Sequence, residues 1–108
     1  MSSAHPRQGE RMILQEDCAE DKLKNGILSL TNQRIIFEKT EGQMATLTKK
    51  RGEILIDVPL KEIKSTRKEG RIIKKIVIEM DNNIYKFGVF DTRKWEKTVL
   101  EQLKNTSG

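Results

Sequence analysis

Histidine and cysteine are almost absent from this 108-residue chain, which contains one of each. A single cysteine, Cys18, cannot form an internal disulfide or a multi-cysteine metal site. The single histidine, His5, lies in the polar N-terminal stretch, away from the part that folds. We therefore interpret Cys18 as a half-buried structural thiol rather than a nucleophile, and we expect neither a metal nor another cofactor.

Long apolar runs are also missing. No segment approaches the roughly 20 apolar residues that span a bilayer, and the start of the chain lacks the apolar stretch of a secretory signal. From this we expect a cytoplasmic protein. Residues 1–9 show no periodicity and contain Pro6, so we predict a disordered N-terminal tail, a domain over residues 10–105 and a disordered end at 106–108.

Residue combinations that support catalysis are not visible either. There is no serine beside a base, and no glycine-rich phosphate loop occurs. Asp17, Glu20 and Asp21 lie close together, but they lack the ligand spacing and the glycine of a calcium loop. We interpret them as a solvated acidic turn and predict that the chain is not an enzyme.

The sequence does contain a repeated two-residue alternation of apolar and polar side chains, which is typical of half-buried β-strands. Seven segments show it: residues 12–16, 27–30, 34–38, 54–58, 63–68, 72–80 and 84–89. Asn25 and Gly26, which tolerate positive φ, favour a turn before the second segment. Glu69 and Gly70 favour another, after which Ile72 shares a strand face with the isoleucines that follow it.

The last segment changes to helical spacing. Asp91 is a good N-cap, and residues 92–104 form an amphipathic pattern around Trp95. Seven short antiparallel strands and one helix bury their apolar faces best in a bent barrel whose open end the helix covers. The fold class is therefore mainly β, and we interpret Trp95 as a core plug rather than a ligand-stacking residue.

Two landmarks resemble those of GRAM domains, which belong to the pleckstrin-homology-like class. Residues 26–37, GILSLTNQRIIF, resemble the family signature G-x-L-x-L-T-x-x-R followed by two hydrophobic residues and F. Residues 56–63, IDVPLKEI, resemble the strand that ends in a proline before an isoleucine. The resemblance implies two nearly orthogonal antiparallel sheets with a C-terminal helix, in a family whose members bind phosphoinositides, proteins or both. For Arg34 in this signature we expect pairing with a carboxylate or a backbone carbonyl rather than with a ligand.

The net charge of +5 is concentrated in one segment. Residues 1–60 and 76–108 are each neutral, whereas residues 61–75 hold seven basic and two acidic residues. We predict an anion-binding or headgroup-binding site on the hairpin of this segment, with a contribution from the loop before the fourth strand. The predicted hairpin residues are Lys64, Lys68, Arg71 and Lys75, and those of the loop are Lys49, Lys50 and Arg51.

These features predict a peripheral module that engages acidic membrane surfaces or phosphorylated headgroups. Lipid-specific pleckstrin homology domains carry basic residues around the first hairpin loop, whereas this chain is acidic there, at Glu16, Asp17, Glu20 and Asp21. That departure favours the alternative of a protein-interaction adaptor. Nucleic acid ranks third because the basic segment contains no aromatic residue to stack on bases.

Overall fold

We describe a computed structural model, which covers residues 7–20, 24–40, 51–72 and 74–107. Its elements are strands β1 (Met12–Glu20), β2 (Lys24–Thr31), β3 (Arg34–Thr40), β4 (Arg51–Pro59), β5 (Ile63–Glu69), β6 (Lys75–Met80) and β7 (Ile84–Gly88), and helix α1 (Thr92–Ser107). A short 3₁₀ helix, Leu60–Glu62, joins β4 to β5. The predicted fold class, with seven strands before one terminal helix, is confirmed.

The strands form one antiparallel sheet in the order β4-β3-β2-β1-β7-β6-β5. Strand β1 pairs with β2 over most of its length but with β7 through only two residue pairs, Ala19 with Gly88 and Glu20 with Phe87. The sheet therefore divides at β1 into a four-stranded part, β1–β4, and a three-stranded part, β5–β7.

The core lies between these two parts because each turns one face of alternating side chains inward. Phe37 of β3 and Phe87 of β7 are fully buried, and their ring centroids lie 5.7 Å apart. The other large buried side chains of this core include Leu28, Leu30, Ile35, Leu60, Ile76 and Ile78.

Gly26 lies inside strand β2 and not in a turn, which corrects our expectation for the Asn25–Gly26 pair. A Cβ atom at this position would lie 2.5 Å from the carbonyl oxygen of Glu38 and 2.5 Å from the ring of Phe37. Glycine is therefore required here, because any side chain would collide with the Phe37 ring and with the backbone of β3.

Helix α1 begins as predicted and ends later than predicted. The Asp91 side chain accepts a hydrogen bond from the backbone N–H of Lys94 at 3.0 Å, which confirms the N-cap. The helix continues to Ser107, so residues 106 and 107, expected beyond the domain, are helical. Trp95 and Val99 are buried in the core, which confirms Trp95 as a plug.

The sixth strand begins later than its hydrophobic pattern indicated. We expected Ile72 on its inner face, but β6 starts at Lys75 and Ile72 is 94% exposed. Gly70 has φ of 101°, a left-handed conformation that favours glycine, and the chain bends at residues 71 and 72. Period-two alternation does not distinguish an apolar turn residue from the first residue of a strand.

Part of the predicted N-terminal tail is attached to the domain. The Gln33 side chain donates a hydrogen bond to the carbonyl of Gln8 at 2.9 Å, and that of Asn32 donates to Gly9 at 3.0 Å. Residues 1–6, which include His5, lie outside the described residues.

Candidate anion-binding surface

The basic residues of β5 and β6 gather at the end of the hairpin that contains Gly70. We call this end the hairpin tip; its described residues are Lys68, Glu69, Gly70, Arg71, Ile72, Lys74 and Lys75. Glu69 pairs with Lys75 in the strand register, so the two strands meet here. Lys68, Arg71 and Lys74 are exposed, and Lys75 is half-buried. Lys74 was not among our predicted site residues, although its place in a turn beside other cations is visible in the sequence.

Lys64 is at the opposite end of β5. Ile63 pairs with Met80, and the Lys64 ammonium lies 3.5 Å from a carboxylate oxygen of Asp81 in the β6–β7 turn. Lys64 and Lys68 are four positions apart in the strand, which corresponds to roughly 13 Å along it. We expected Lys64 and Lys68 to lie together at the tip of this hairpin, and this expectation is wrong. The two lysines are at opposite ends of β5, and the position along the strand, not the face of the sheet, decides which residues lie at the tip.

The predicted basic loop lies mostly outside the described residues. Lys49 and Lys50 are among the residues not described, and for Arg51 only the backbone at the start of β4 is described. Their part in an anion site stays a prediction.

The single carboxylate of the hairpin tip is already engaged. Glu69 accepts a hydrogen bond from the Lys86 ammonium of β7 at 2.7 Å, and this bond lowers the pKa of Glu69 below its usual range. Lys68 lies 3.9 Å from Glu96 of α1, a long ion pair between partly exposed side chains. Among the described residues, Arg71 and Lys74 have no ion-pair partner. The tip therefore presents positive charge to solvent.

Two large apolar side chains are exposed at this same end of the three-stranded part. Ile72 is at the tip itself, and Phe90, 97% exposed, follows β7 by two residues. Because Ile76 pairs with Phe87 in the antiparallel register, the start of β6 and the end of β7 lie together. Phe90 was not among our predicted site residues; it follows the predicted strand segment 84–89 and directly precedes the Asp91 cap.

Glu16 holds the backbone beside Phe90 in place. Its carboxylate accepts a hydrogen bond from the Phe90 N–H at 2.7 Å and another from the Trp95 indole N–H at 2.8 Å. Glu20 lies in the same strand, β1, and its side chain is buried. The solvated acidic turn expected for Asp17, Glu20 and Asp21 is therefore wrong for Glu20; Asp17 is exposed within β1, and Asp21 lies outside the described residues.

Arg34 forms a buried ion-pair network, as the sequence analysis expected. Its guanidinium donates to both carboxylate oxygens of Glu10, at 2.8 and 3.1 Å, and to Asp57 at 2.8 Å. The side chains of Arg34 and Glu10 are only 5% and 3% exposed. An arginine held on these carboxylates is oriented into the protein, so its role is structural.

The other end of the domain carries two shallow clefts of 340 and 450 Å³. Both are lined by Lys61, Ile63 and Lys64; one extends to Leu103 of α1 and the other to the β6–β7 turn at residues 81–83. Glu62 and Asp81 also line the larger cleft, so cations and carboxylates alternate there. This mixture makes it a weaker anion site than the hairpin tip.

The described residues offer little other chemistry. No group of three or more histidine, cysteine or acidic side chains within them is arranged to hold a metal ion. Cys18 is buried rather than half-buried, and burial, together with the nearby carboxylates of Glu16, Asp17 and Glu20, raises the pKa of its thiol to about 12. Such a thiol stays protonated at neutral pH and is a poor nucleophile.

The strand order and the terminal helix define the fold of pleckstrin homology domains. Two solved structures with this fold are similar to the chain: the N-terminal PH domain of Vps36, with a TM-score of 0.69, and the N-terminal PH domain of human ARAP2, with 0.56. The first is 14% identical and the match covers 93% of this chain and 83% of that one; the second is 16% identical and covers 98% and 89%. No protein-family model and no curated protein sequence matches the chain.

Within the described ranges, no helix combines the length and the hydrophobicity that crossing a bilayer requires.

Proposed function

We propose that this chain is a non-enzymatic binding module of the pleckstrin homology fold that engages acidic membrane surfaces or phosphorylated headgroups through its hairpin tip. The main supporting observation is that Lys68, Arg71, Lys74 and Lys75 lie in or beside one turn, that the first three of them are exposed, and that the only carboxylate of this tip is held by Lys86. Each basic residue near an anionic membrane surface contributes about 1 kcal/mol to binding. Lys49, Lys50 and Arg51 stay in the proposal as an additional basic loop.

The test is co-sedimentation with phosphatidylcholine vesicles that either contain or lack phosphatidylserine. We expect binding only to the anionic vesicles, and we expect added salt to weaken it because exposed charges are screened. Reversal of the four basic tip residues to glutamate should weaken partition by at least about 10³-fold, given roughly 1 kcal/mol for each cation.

Lys61→Glu combined with Lys64→Glu is the matched control, because both lysines are exposed and Lys64 lies at the far end of β5. This variant should keep most of the binding, and both variants should melt close to the wild type because exposed substitutions change stability by less than about 0.5 kcal/mol each. If the control variant loses binding and the tip variant keeps it, the site belongs to the two clefts and not to the tip.

The alternative is a protein-interaction adaptor that uses a sheet face, a strand edge or the terminal helix, and the acidic first hairpin of the sequence favoured it. Glu16 and Glu20 do not supply that surface, since the first is hydrogen-bonded to the β7–α1 junction and the second is buried. A stoichiometric protein partner whose binding survives moderate salt, together with no binding to anionic vesicles, would favour the adaptor.

A further inference from the structure

Ile72 and Phe90 stand out among the exposed apolar side chains of the described residues. Their side chains are 94% and 97% exposed, whereas the next most exposed, Met12 and Ile84, are each 51% exposed. Single surface hydrophobic residues are common and need no explanation. These two require one because both belong to connections at the end of the domain that also holds the basic hairpin tip.

The exposure of Phe90 is fixed by the residues around it. The Glu16 carboxylate holds its backbone N–H, and the next residue, Asp91, caps helix α1, so the chain on both sides is anchored. Trp95, one helical turn after Asp91, is buried in the core, whereas Phe90 is 97% exposed. The fold therefore buries one aromatic residue of this junction and directs the other outward.

The charges around the two side chains are complementary to an anionic surface. Ile72 lies between Arg71 and Lys74, and Phe90 precedes Arg93 and Lys94, which are exposed in the first turn of α1. Several acidic residues near this end have partners within the domain: Glu69 accepts from Lys86, Glu16 from the Phe90 N–H and the Trp95 indole, and Asp91 from the Lys94 N–H, while Glu96 lies 3.9 Å from Lys68.

We propose that this end of the domain docks onto an anionic bilayer with Ile72 and Phe90 inserted at the level of the headgroups. A bilayer interface accepts separate apolar side chains flanked by lysine and arginine. A stable protein interface, by contrast, buries a continuous area of roughly 800 Å² on each partner. The inference rests on the proposed function and adds that apolar insertion, not charge alone, contributes to binding.

The most direct test is fluorescence of the Phe90→Trp variant with phosphatidylcholine vesicles that contain phosphatidylserine. Trp95, the only native tryptophan, is buried, so its emission should not respond to vesicles. The added tryptophan should shift to the blue and be quenched by brominated lipid. The matched probe, Ile84→Trp, lies at the other end of β7 and should show neither change. If the Phe90→Trp variant binds vesicles but its tryptophan emission neither shifts to the blue nor is quenched by brominated lipid, the proposed insertion is wrong.

A second test compares two identical substitutions. Ile72→Ser should weaken partition into anionic vesicles by roughly tenfold, the effect of withdrawing part of an isoleucine side chain from an apolar environment. Ile84→Ser, equal in chemistry and also exposed, should leave partition unchanged.

The outcomes separate the two proposals. If the wild type binds anionic vesicles and Ile72→Ser binds equally well, insertion is wrong and charge-driven docking stands. If the wild type does not bind anionic vesicles, both proposals fail. If the wild type is then found to be a dimer that the Ile72→Ser substitution dissociates, this surface binds a second copy of the chain.

Discussion

The buried ion pair of Glu10 and Arg34, together with the more exposed Asp57, joins three parts of the chain that are distant in sequence. Glu10 precedes β1, Arg34 opens β3 and Asp57 lies in β4, so the network ties the N-terminal segment to the far edge of the sheet. The hydrogen bonds from Arg34, assisted by Thr31 and the Arg7 N–H, lower the pKa of Glu10 from 4.5 to about 2 against the opposing effect of burial. The hydrogen bonds between Arg34 and Glu10 also raise the pKa of Arg34.

This network predicts a specific loss of stability in acid. Because the pKa of Glu10 is lower in the folded chain than in the unfolded one, its contribution is complete above pH 4.5 and is lost as the pH falls towards about 2. A shift of this size corresponds to roughly 3 kcal/mol, taken as an order of magnitude. Glu10→Gln should lower the free energy of unfolding at neutral pH by about 2 kcal/mol and flatten its dependence on pH below 4.5.

Urea unfolding at a series of pH values measures both effects. Glu79→Gln is the control because Glu79 pairs with Arg67 at the surface, where both side chains are at least 38% exposed. It should change the unfolding free energy by less than about 0.5 kcal/mol. Equal losses in the two variants would contradict a special role for the buried network.

At the scale of elements, helix α1 is attached to the sheet through Trp95 and Glu16. The indole fills the core between the two parts of the sheet, while its N–H donates to the carboxylate of Glu16 in β1. The second oxygen of that carboxylate accepts the Phe90 N–H, so one side chain satisfies a buried indole and fixes the entry to the helix.

Two substitutions at position 95 separate packing from hydrogen bonding. Trp95→Ala removes both and should cost roughly 3 to 5 kcal/mol of unfolding free energy, as expected for a large aromatic core residue. Trp95→Phe keeps much of the packing but leaves the Glu16 oxygen without its indole partner, and should cost less, about 1 to 3 kcal/mol. Thermal or urea unfolding provides the measurement, and an alanine variant as stable as the phenylalanine variant would show that packing contributes little.

At the scale of the whole molecule, β1 is the strand on which the two parts of the sheet meet, and it carries Cys18. The thiol is opposite Gly26 in the register with β2 and faces the core. Because Cys18 lies in the shared strand, its exposure requires the opening of the domain rather than of one loop.

Cys18 should therefore report global unfolding. A thiol reagent at mildly alkaline pH should label the native protein at least about 10³-fold more slowly than the urea-unfolded protein, given the stability of a small domain. Trp95→Ala should accelerate this labelling. The control is Cys18→Ser combined with Asn82→Cys, which places the thiol in an exposed turn where it should react rapidly. Equal rates for Cys18 in native and unfolded protein would contradict its burial.

The local elements of this protein can be predicted from its amino-acid sequence. Strand alternation and helical spacing depend only on neighbouring residues, so the seven strands and the Asp91 cap followed from the printed sequence. For Arg34 we expected either a carboxylate or a backbone carbonyl as its partner, because a buried charge requires one, and the structure shows the carboxylates of Glu10 and Asp57. The concentration of charge on residues 61–75 was also visible, since it needs only counting.

Which of these residues come into contact depends on the tertiary structure. Glu16 and Trp95 are 79 positions apart, and no local pattern indicates that a carboxylate in the first strand accepts the indole of the last helix. The register of β5 with β6 places Lys64 near the β6–β7 turn and not at the hairpin tip, and Ile72 is exposed because it lies before β6, which begins only at Lys75. Register and turn conformation are fixed by long-range packing, so the composition of the hairpin tip and its apolar neighbours became apparent only in the folded chain.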